Sequence, residues 1–229
     1  MKISICIPTW EQYGYGNKFL SKLLTTIQNQ DFTNFNVVIS DHSMNKTIYE
    51  VIKLFENQFE LKYIINEKKR GNSPSNTNNA IINADGEIIK IMFQDDFFYD
   101  NTSLSQIHKE FNNDDCYWLI NGCNHTEDDG KSFSRFMIPY WNNQIIFGNN
   151  TISSPSVLSF RNFNPCLFDE ELTMLMDCEL YYQLYIKFGY PKVIQNSLIT
   201  NRLHQYQISK NYKQNILSEI NYIKMKHKL

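Results

Sequence analysis

Four short, almost wholly apolar runs in the first hundred residues, separated by segments of helical periodicity, constrain the fold more than any other feature of the chain. ISICI (3–7) is a continuous apolar strand, NVVIS (36–40) and LKYIIN (61–66) read as the second and third strands, and EIIKIMF (87–93) as the fourth and most buried. Between them, NKFLSKLLTTIQNQ (17–30) places Phe19, Leu20, Leu23, Leu24 and Ile27 on one helical face, and KTIYEVIKLFENQ repeats that spacing. SPSNTNNAIINADG reads as a loop leading into a short helix closed by Gly86. This rhythm is that of βαβ units on a parallel sheet, which sets the fold class as α/β. Parallel strands finish on one edge. Pro8, Thr9 and Trp10 after the first strand, Asp41 after the second, and Asp95 and Asp96 after the fourth are therefore expected to converge on one crevice, where open α/β sheets bind ligands.

The second half is less regular. A strand CYWLING (116–122) leads into a polar loop and then FSRFMIPYWNNQIIFGNN, whose Gly, Asn and Pro residues suggest hairpins or a mobile loop. SPSVLSFRN (154–162), a helix over roughly 174–188, and PKVIQNSLITNRLHQYQIS, read as a strand leaving the core, precede a Lys-bearing terminal helix over about 212–227. With no repeat, low-complexity tract or linker, the 229 residues are expected to form one domain.

Composition narrows the function classes. Twenty-two Lys and Arg against 24 Asp and Glu leave a net charge of −2, so no basic field argues for nucleic acid as the partner. Five cysteines, odd in number and without a C-x-x-C pair, speak against a zinc ribbon or disulfide framework and fit a reduced cytosol. The N-terminal apolar run is too short for a signal h-region or a spanning helix, and no later stretch approaches eighteen apolar residues.

Several residues are candidates for chemistry. Asp41 is either a turn or N-cap aspartate, or a carboxylate that accepts a hydrogen bond from a nucleobase imide. Asp95 and Asp96 are either cap residues, or hard oxygen ligands for Mg2+ or Mn2+, which often take one or two carboxylates and complete their shell with phosphate oxygens. Asp177 and Glu179 stand near the start of a helix, where the dipole alone accounts for negative charge. Arg202, His204 and Ser209 lie close together, and a cationic cluster beside a carboxylate cleft can meet a diphosphate. Tyr140 and Trp141 are candidates for stacking on a sugar, with core packing as the other reading.

Taken in order, strand-P-T-W-E, strand-S-D-H-S, R-G then NTNNAI, ADGEIIKIMFQDDFF, SPSVLSFRN, FDEELTMLMDCEL and NRLHQYQIS resemble the family 2 glycosyltransferases of GT-A fold, over nearly the whole chain to about residue 209. The resemblance implies a Rossmann-like three-layer α/β sandwich with a mainly parallel central sheet. One catalytic domain would cover 1–209, with 1–100 as the nucleotide-binding half and 101–209 as the acceptor-binding half, and a C-terminal helix would occupy 210–229. The implied reaction is an inverting, metal-dependent transfer from a nucleoside diphosphate sugar, UDP-type favoured, to a hydroxyl of a glycan or lipid-linked acceptor, as in polysaccharide biosynthesis.

Carried over residue by residue, Pro8, Thr9 and Glu11 would line the nucleoside pocket and Asp41 would read the base. Arg70 and Asn78 would lie on a loop closing over the nucleotide. Against the family's D-S-D-D form, Phe93 departs at the first Asp and the cation falls on Asp95. Against T-D-D, Gln94-Asp95-Asp96 matches better: Asp95 faces the ribose or donor sugar and Asp96 holds Mn2+ or Mg2+. The second assignment is preferred. MDCEL resembles the E-D-x-D/E-L stretch, with Met176 in place of its Glu, and puts the catalytic base on Asp177. His204 matches a histidine that approaches the metal or diphosphate. Glu179, Arg202 and Trp141 are assigned to the acceptor or diphosphate. Ala80 stands where many members have Gly.

Two rivals share the sequence signals. A nucleotidylyltransferase would need a Gly-rich, basic loop after the first strand, and PTWEQYGYGNK has no cation before Lys18. A non-catalytic binding subunit is compatible with the departures at Phe93, Met176 and Ala80. The expected location is cytoplasmic. Lys210, Lys213, Lys224, Lys226 and Lys228 would either contact an anionic membrane surface or form a solvated helix face.

Overall fold

The computed structural model describes residues 1–207 and 216–229. Its parallel half follows the expected rhythm: β1 (Ile3–Thr9), α1 (Gly16–Gln28), β2 (Phe35–Asp41), α2 (Thr47–Lys53), β3 (Glu60–Ile65), α3 (Ser73–Ile82) and β4 (Ile88–Ile91). β1, β2 and β4 are buried at every position, which is why they read as mainly apolar runs, whereas β3 at the sheet edge has no fully buried position. After them come β5 (Phe97–Phe98), α4 (Ser103–Phe111), β6 (Trp118–Thr126), β7 (Ser134–Met137), β8 (Leu158–Arg161), α5 (Met176–Phe188), β9 (Lys192–Arg202) and α6 (Ile216–His227). Ser209, expected near the basic cluster, and the first residues of the expected terminal helix lie outside the described residues.

The strands form one sheet in the order β3-β2-β1-β4-β8-β6-β9-β5, with β7 on β6. β1 pairs in parallel with β2 and β4, and β2 with β3. β8 is antiparallel to both its neighbours, and β6 and β9 are parallel to each other. The carboxyl ends of β1, β2, β4, β6 and β9 and the amino end of β8 therefore share one edge. Right-handed crossovers place α1 and α2 on one face and α3, whose connection runs back across the sheet, on the other.

The elements depart locally from the expected ones. α2 stops at Lys53, short of the periodic run, and residues 54–58 continue as turns. Gly86 does not close α3, which ends at Ile82 with Asn83 as its C-cap. Instead Gly86 lets β4 meet β1, because a Cβ there would lie 2.7 Å from Ser4 N and 2.9 Å from Lys2 O. The polar stretch of α3 is buried because its amides are spent inside the fold: Asn76 accepts from the Ser40 hydroxyl (2.7 Å) and donates to Thr9 O (3.0 Å), and Asn79 donates to Ser40 Oγ (2.8 Å).

Candidate active site

Parallel register sets Thr9 beside Asp41 at the strand ends. Asp41 is buried, and its carboxylate accepts from the Thr9 hydroxyl (3.1 Å), Ser43 N (2.9 Å) and the Tyr63 hydroxyl (2.7 Å). Burial, and then Asp41, push the Tyr63 phenol up and keep it a donor. Beyond β1 the chain turns through Gln12 and Tyr13, both at positive φ (43° and 54°). Gln94 fixes this turn: its amide pairs with Trp10 N and Trp10 O, both at 3.0 Å, and donates to Gln12 Oε1 at 2.7 Å. Glu11 reaches Met44 N at 3.3 Å.

The tandem acids divide sharply. Asp96 is 5% exposed, and its carboxylate accepts from the Ser154 hydroxyl (3.0 Å) and Arg202 N (3.1 Å). Burial first, then Asp95, push its pKa up to about 7. Beneath it lies Lys90, fully buried in β4, donating to Ser156 O and to Leu158 O, and depressed to about 7 by burial while Asp96 opposes the shift. Asp95, by contrast, keeps 20% of its side chain exposed and meets His204 Nε2 at 2.9 Å. Its backbone oxygen accepts from Arg202 Nε at 2.9 Å. The Arg202 guanidinium is buried over Phe19 (4.5 Å) and Phe97 (5.3 Å) and pairs with Asp129, while its Nη2 has no hydrogen-bond partner among the described residues.

Among the described residues no group of three or more His, Cys, Asp or Glu could hold a metal unaided. Asp95 and His204 supply two donors, one oxygen and one nitrogen, and this fits a cation whose remaining ligands are diphosphate oxygens and water. The unpaired Arg202 Nη2 nearby is a buried donor of the kind that an anionic oxygen satisfies.

Asp177 occupies the second position of α5 and is partly buried. Its carboxylate accepts from Asn150 Nδ2 (2.8 Å) and Cys178 N (2.7 Å), and burial raises its pKa to about 6 despite these bonds. Asn150 also donates to Ser153 O (3.0 Å) and accepts from Ile152 N (2.9 Å) and Ser153 N (3.0 Å). Ser154, which holds Asp96, is the next residue. Segment 150–156 thus connects the helix carboxylate to the strand-end carboxylates, with Ser153 at a φ of 97°.

Three residues assigned to ligands stand elsewhere. Asn78 sits within α3 rather than on a closing loop; it donates to Phe168 O (2.9 Å) and accepts from Phe168 N (2.8 Å), so its amide tethers the segment before α5. Glu179 is fully buried and turned away from the crevice onto Lys226 (2.7 Å) and His227 (2.9 Å), because two helical steps from Asp177 bring it to the opposite face. Trp141 stacks on Tyr185 at 4.3 Å and meets Trp118 edge-on, about 12 Å along α5 from Asp177. Arg70 is exposed on the turn before α3, 3.5 Å from Glu67. A concavity lined by Lys2, Gln28, Thr33, Phe59 and Glu60 lies at the opposite edge of the sheet, away from these groups.

Asn150, Ser154 and Lys90 were not singled out from sequence. Ser154 opens the SPSVLSFRN run, and a lysine inside an apolar strand is itself a signal. No sequence pattern marks Asn150.

This mainly parallel α/β sheet, with Asp41, Asp95 and Asp96 at its strand ends, has the GT-A glycosyltransferase fold. Staphylococcus aureus TarS (residues 1–349) in complex with UDP-GlcNAc superposes with a TM-score of 0.77 at 20% identity, covering 98% of this chain and 66% of that one. The mannosyltransferase PcManGT from Pyrobaculum calidifontis, in complex with GDP-Man and Mn2+, gives 0.65 at 13% identity, covering 89% and 57%. Residues 4–172 match Glycosyl transferase family 2, and the chain belongs to that family.

Among curated relatives, the GalNAc(5)-diNAcBac-PP-undecaprenol beta-1,3-glucosyltransferase of Campylobacter jejuni subsp. jejuni serotype O:2 is 28% identical over 96 residues, 42% of this chain and 30% of that protein. The poly(ribitol-phosphate) beta-N-acetylglucosaminyltransferase TarS of S. aureus is 28% identical over 104 residues, 44% of this chain and 18% of that protein. This chain thus spans less than a third of the length of either relative. The putative colanic acid biosynthesis glycosyl transferase WcaA of Escherichia coli K12 is 24% identical over 214 residues, 88% of this chain and 72% of that protein.

Proposed function

We propose that the chain is the catalytic domain of an inverting glycosyltransferase that moves a sugar from a UDP-type donor to a hydroxyl of a glycan or lipid-linked acceptor. The observation that carries this reading is the link through residues 150–154 between Asp177, raised to about 6, and the acid pair at the end of β4. A partly buried carboxylate with that pKa is ionised at neutral pH yet basic enough to take a proton, a role typically worth about 10²–10⁴ in rate.

Thr9, Asp41 and Glu11 form the nucleoside end, with Asp41 held as an acceptor by Tyr63 and Ser43. Asp95 and His204 would hold the divalent cation, which would supply several kcal/mol of stabilisation to negative charge on a diphosphate. This reverses the preference drawn from the T-D-D alignment. Asp96, enclosed by Ser154 and Arg202, fixes the turn on which Asp95 stands. Arg202 meets the diphosphate through its unpaired nitrogen. Asp177 takes the acceptor proton as the hydroxyl attacks the anomeric carbon opposite the leaving group, which inverts that centre.

A non-catalytic subunit is the second reading, and the test separates the two. Purified protein incubated with UDP-GlcNAc and Mn2+ is expected to release UDP slowly by transfer to water, and Asp177→Asn is expected to lose that activity while binding UDP with unchanged affinity. UDP binding without release by the wild type would favour the binding subunit. Equal release by wild type and variant would remove Asp177 from the mechanism.

No helix among the described residues is long and apolar enough to cross a membrane. Of the basic residues expected on the terminal helix, Lys226 is tied to Asp169 and Glu179, while Lys210 and Lys213 lie outside the described residues.

A further inference from the structure

The terminal helix α6 grips the segment that carries Asp177 from both sides in sequence. Glu219 is 8% exposed, and its two carboxylate oxygens accept from three consecutive backbone groups: Thr173 N (3.0 Å), Met174 N (3.0 and 3.2 Å) and Leu175 N (2.8 Å). Further along the same face, the Tyr222 hydroxyl and Lys226 Nζ donate to Asp169 Oδ2 at 2.9 and 2.6 Å. Lys226 and His227 then close on Glu179, one residue beyond Cys178 and buried on the far side of α5 from Asp177. Lys224 also lies over the Phe147 ring at 5.5 Å, on the segment leading to Asn150. Both arms that hold the Asp177 carboxylate therefore touch α6.

We infer that α6 is a clamp setting the position and basicity of Asp177, and that Glu219 is its positioning residue; this rests on Asp177 being the base. The N–H groups of 173–175 precede the first turn of α5, so no helical carbonyl satisfies them. Glu219 satisfies them together and places a negative charge at the positive end of the helix. That charge offsets the field which would otherwise favour the ionised form of Asp177. The titratable groups facing Asp177 are Cys178 and Tyr181, both kept neutral mainly by burial, so neither supplies a competing charge.

The test uses the full chain, Mn2+ and UDP-GlcNAc as the probe, reading UDP release against pH together with UDP affinity by calorimetry. Glu219→Ala is expected to lower kcat by about tenfold or more, with UDP affinity and donor KM within about twofold, because the donor site lies on other elements. Glu219→Gln keeps one acceptor oxygen, enough for two of the three N–H groups, while its amide nitrogen faces the third; part of kcat is expected to return, with the acid limb of the profile displaced downward by about half a pH unit. An unchanged kcat in folded Glu219→Ala, or a joint fall of kcat and UDP affinity, would overturn the inference. If Glu219→Ala does not fold, Glu219→Gln decides, and an unmoved acid limb refutes the clamp. Asp177→Asn in the same assay keeps the two ideas apart: normal turnover there removes the base and leaves no basicity for the clamp to set, whereas a dead Asp177→Asn beside a wild-type-like Glu219→Gln profile removes the clamp alone.

Discussion

Replacing Asn150 by Ala strips Asp177 of one of its two hydrogen bonds without touching any group at the strand ends. A hydrogen bond to a charged acceptor contributes about 1.5 kcal/mol or more, which corresponds to about one pH unit. The bond favours the ionised form, so losing it raises the pKa of Asp177 from about 6 towards about 7. On the proposed mechanism, transfer needs the ionised carboxylate. At about pH 6 the active fraction should fall from about one half to about one tenth, and by about pH 9 this part of the loss should vanish. A pH-independent remainder reports lost orientation, since Asn150 also holds Ile152 and Ser153. The assay is the pH dependence of kcat for UDP release, compared with wild type. A deficit of equal size at every pH, with the acid limb unmoved, would refute the idea that this amide tunes the base.

The same pKa bears on stability. The folded-state value of about 6 lies above the usual 3.8, so between those values the folded chain keeps a proton that the unfolded chain has lost. Stability therefore falls as pH rises through that window, by at most about 3 kcal/mol. Asp177→Asn should then melt higher than wild type above about pH 7, by about 2–4 °C if a net gain of about 1 kcal/mol survives the new amide facing Asn150, and should lose that advantage below about pH 4. A melting difference independent of pH would contradict it. For the tandem acids, Asp95→Ala should abolish the Mn2+-dependent part of UDP binding with little change in fold. Asp96→Ala should instead lower melting temperature first, because it leaves Lys90 buried without a nearby carboxylate; equal metal dependence in both variants would count against the division of roles.

Much of the parallel half was legible because burial on both faces produces continuous apolar runs, and parallel pairing then sends their ends to one edge. That logic placed Thr9, Asp41 and the tandem acids together. It could not say which acid turns inward. Asp96 is enclosed by Ser154 and Arg202, 58 and 106 positions away, and no local pattern encodes contacts at such separations. Glu179 was a different kind of miss, since helical spacing alone puts it on the face opposite Asp177. Trp141 shows the ambiguity of aromatics: stacking on a sugar and stacking on Tyr185 look alike in a linear string. Asn78 was carried onto a nucleotide-closing loop by the family resemblance, yet it lies within α3 with its amide spent on the backbone of residue 168, a contact 90 positions away that no local pattern encodes.

The position of β9 in the sheet bears on how the protein matures. β5, which directly follows the acid turn, pairs with β9 and, among the described residues, is joined to the sheet only through it. Until residues 192–202 have been synthesised, Phe97 and Phe98 have no neighbouring strand, and the carboxylates before them lack both Arg202 and His204. A nascent chain that has completed its four parallel strands thus has Thr9 and Asp41 paired at the strand ends while the Asp95–Asp96 turn still lacks its partners from β9 and just beyond it. Insertion of β9 between β6 and β5 completes the sheet and encloses the acid turn in one event, so the geometry of Asp95 and Asp96 waits on residues more than a hundred positions further along.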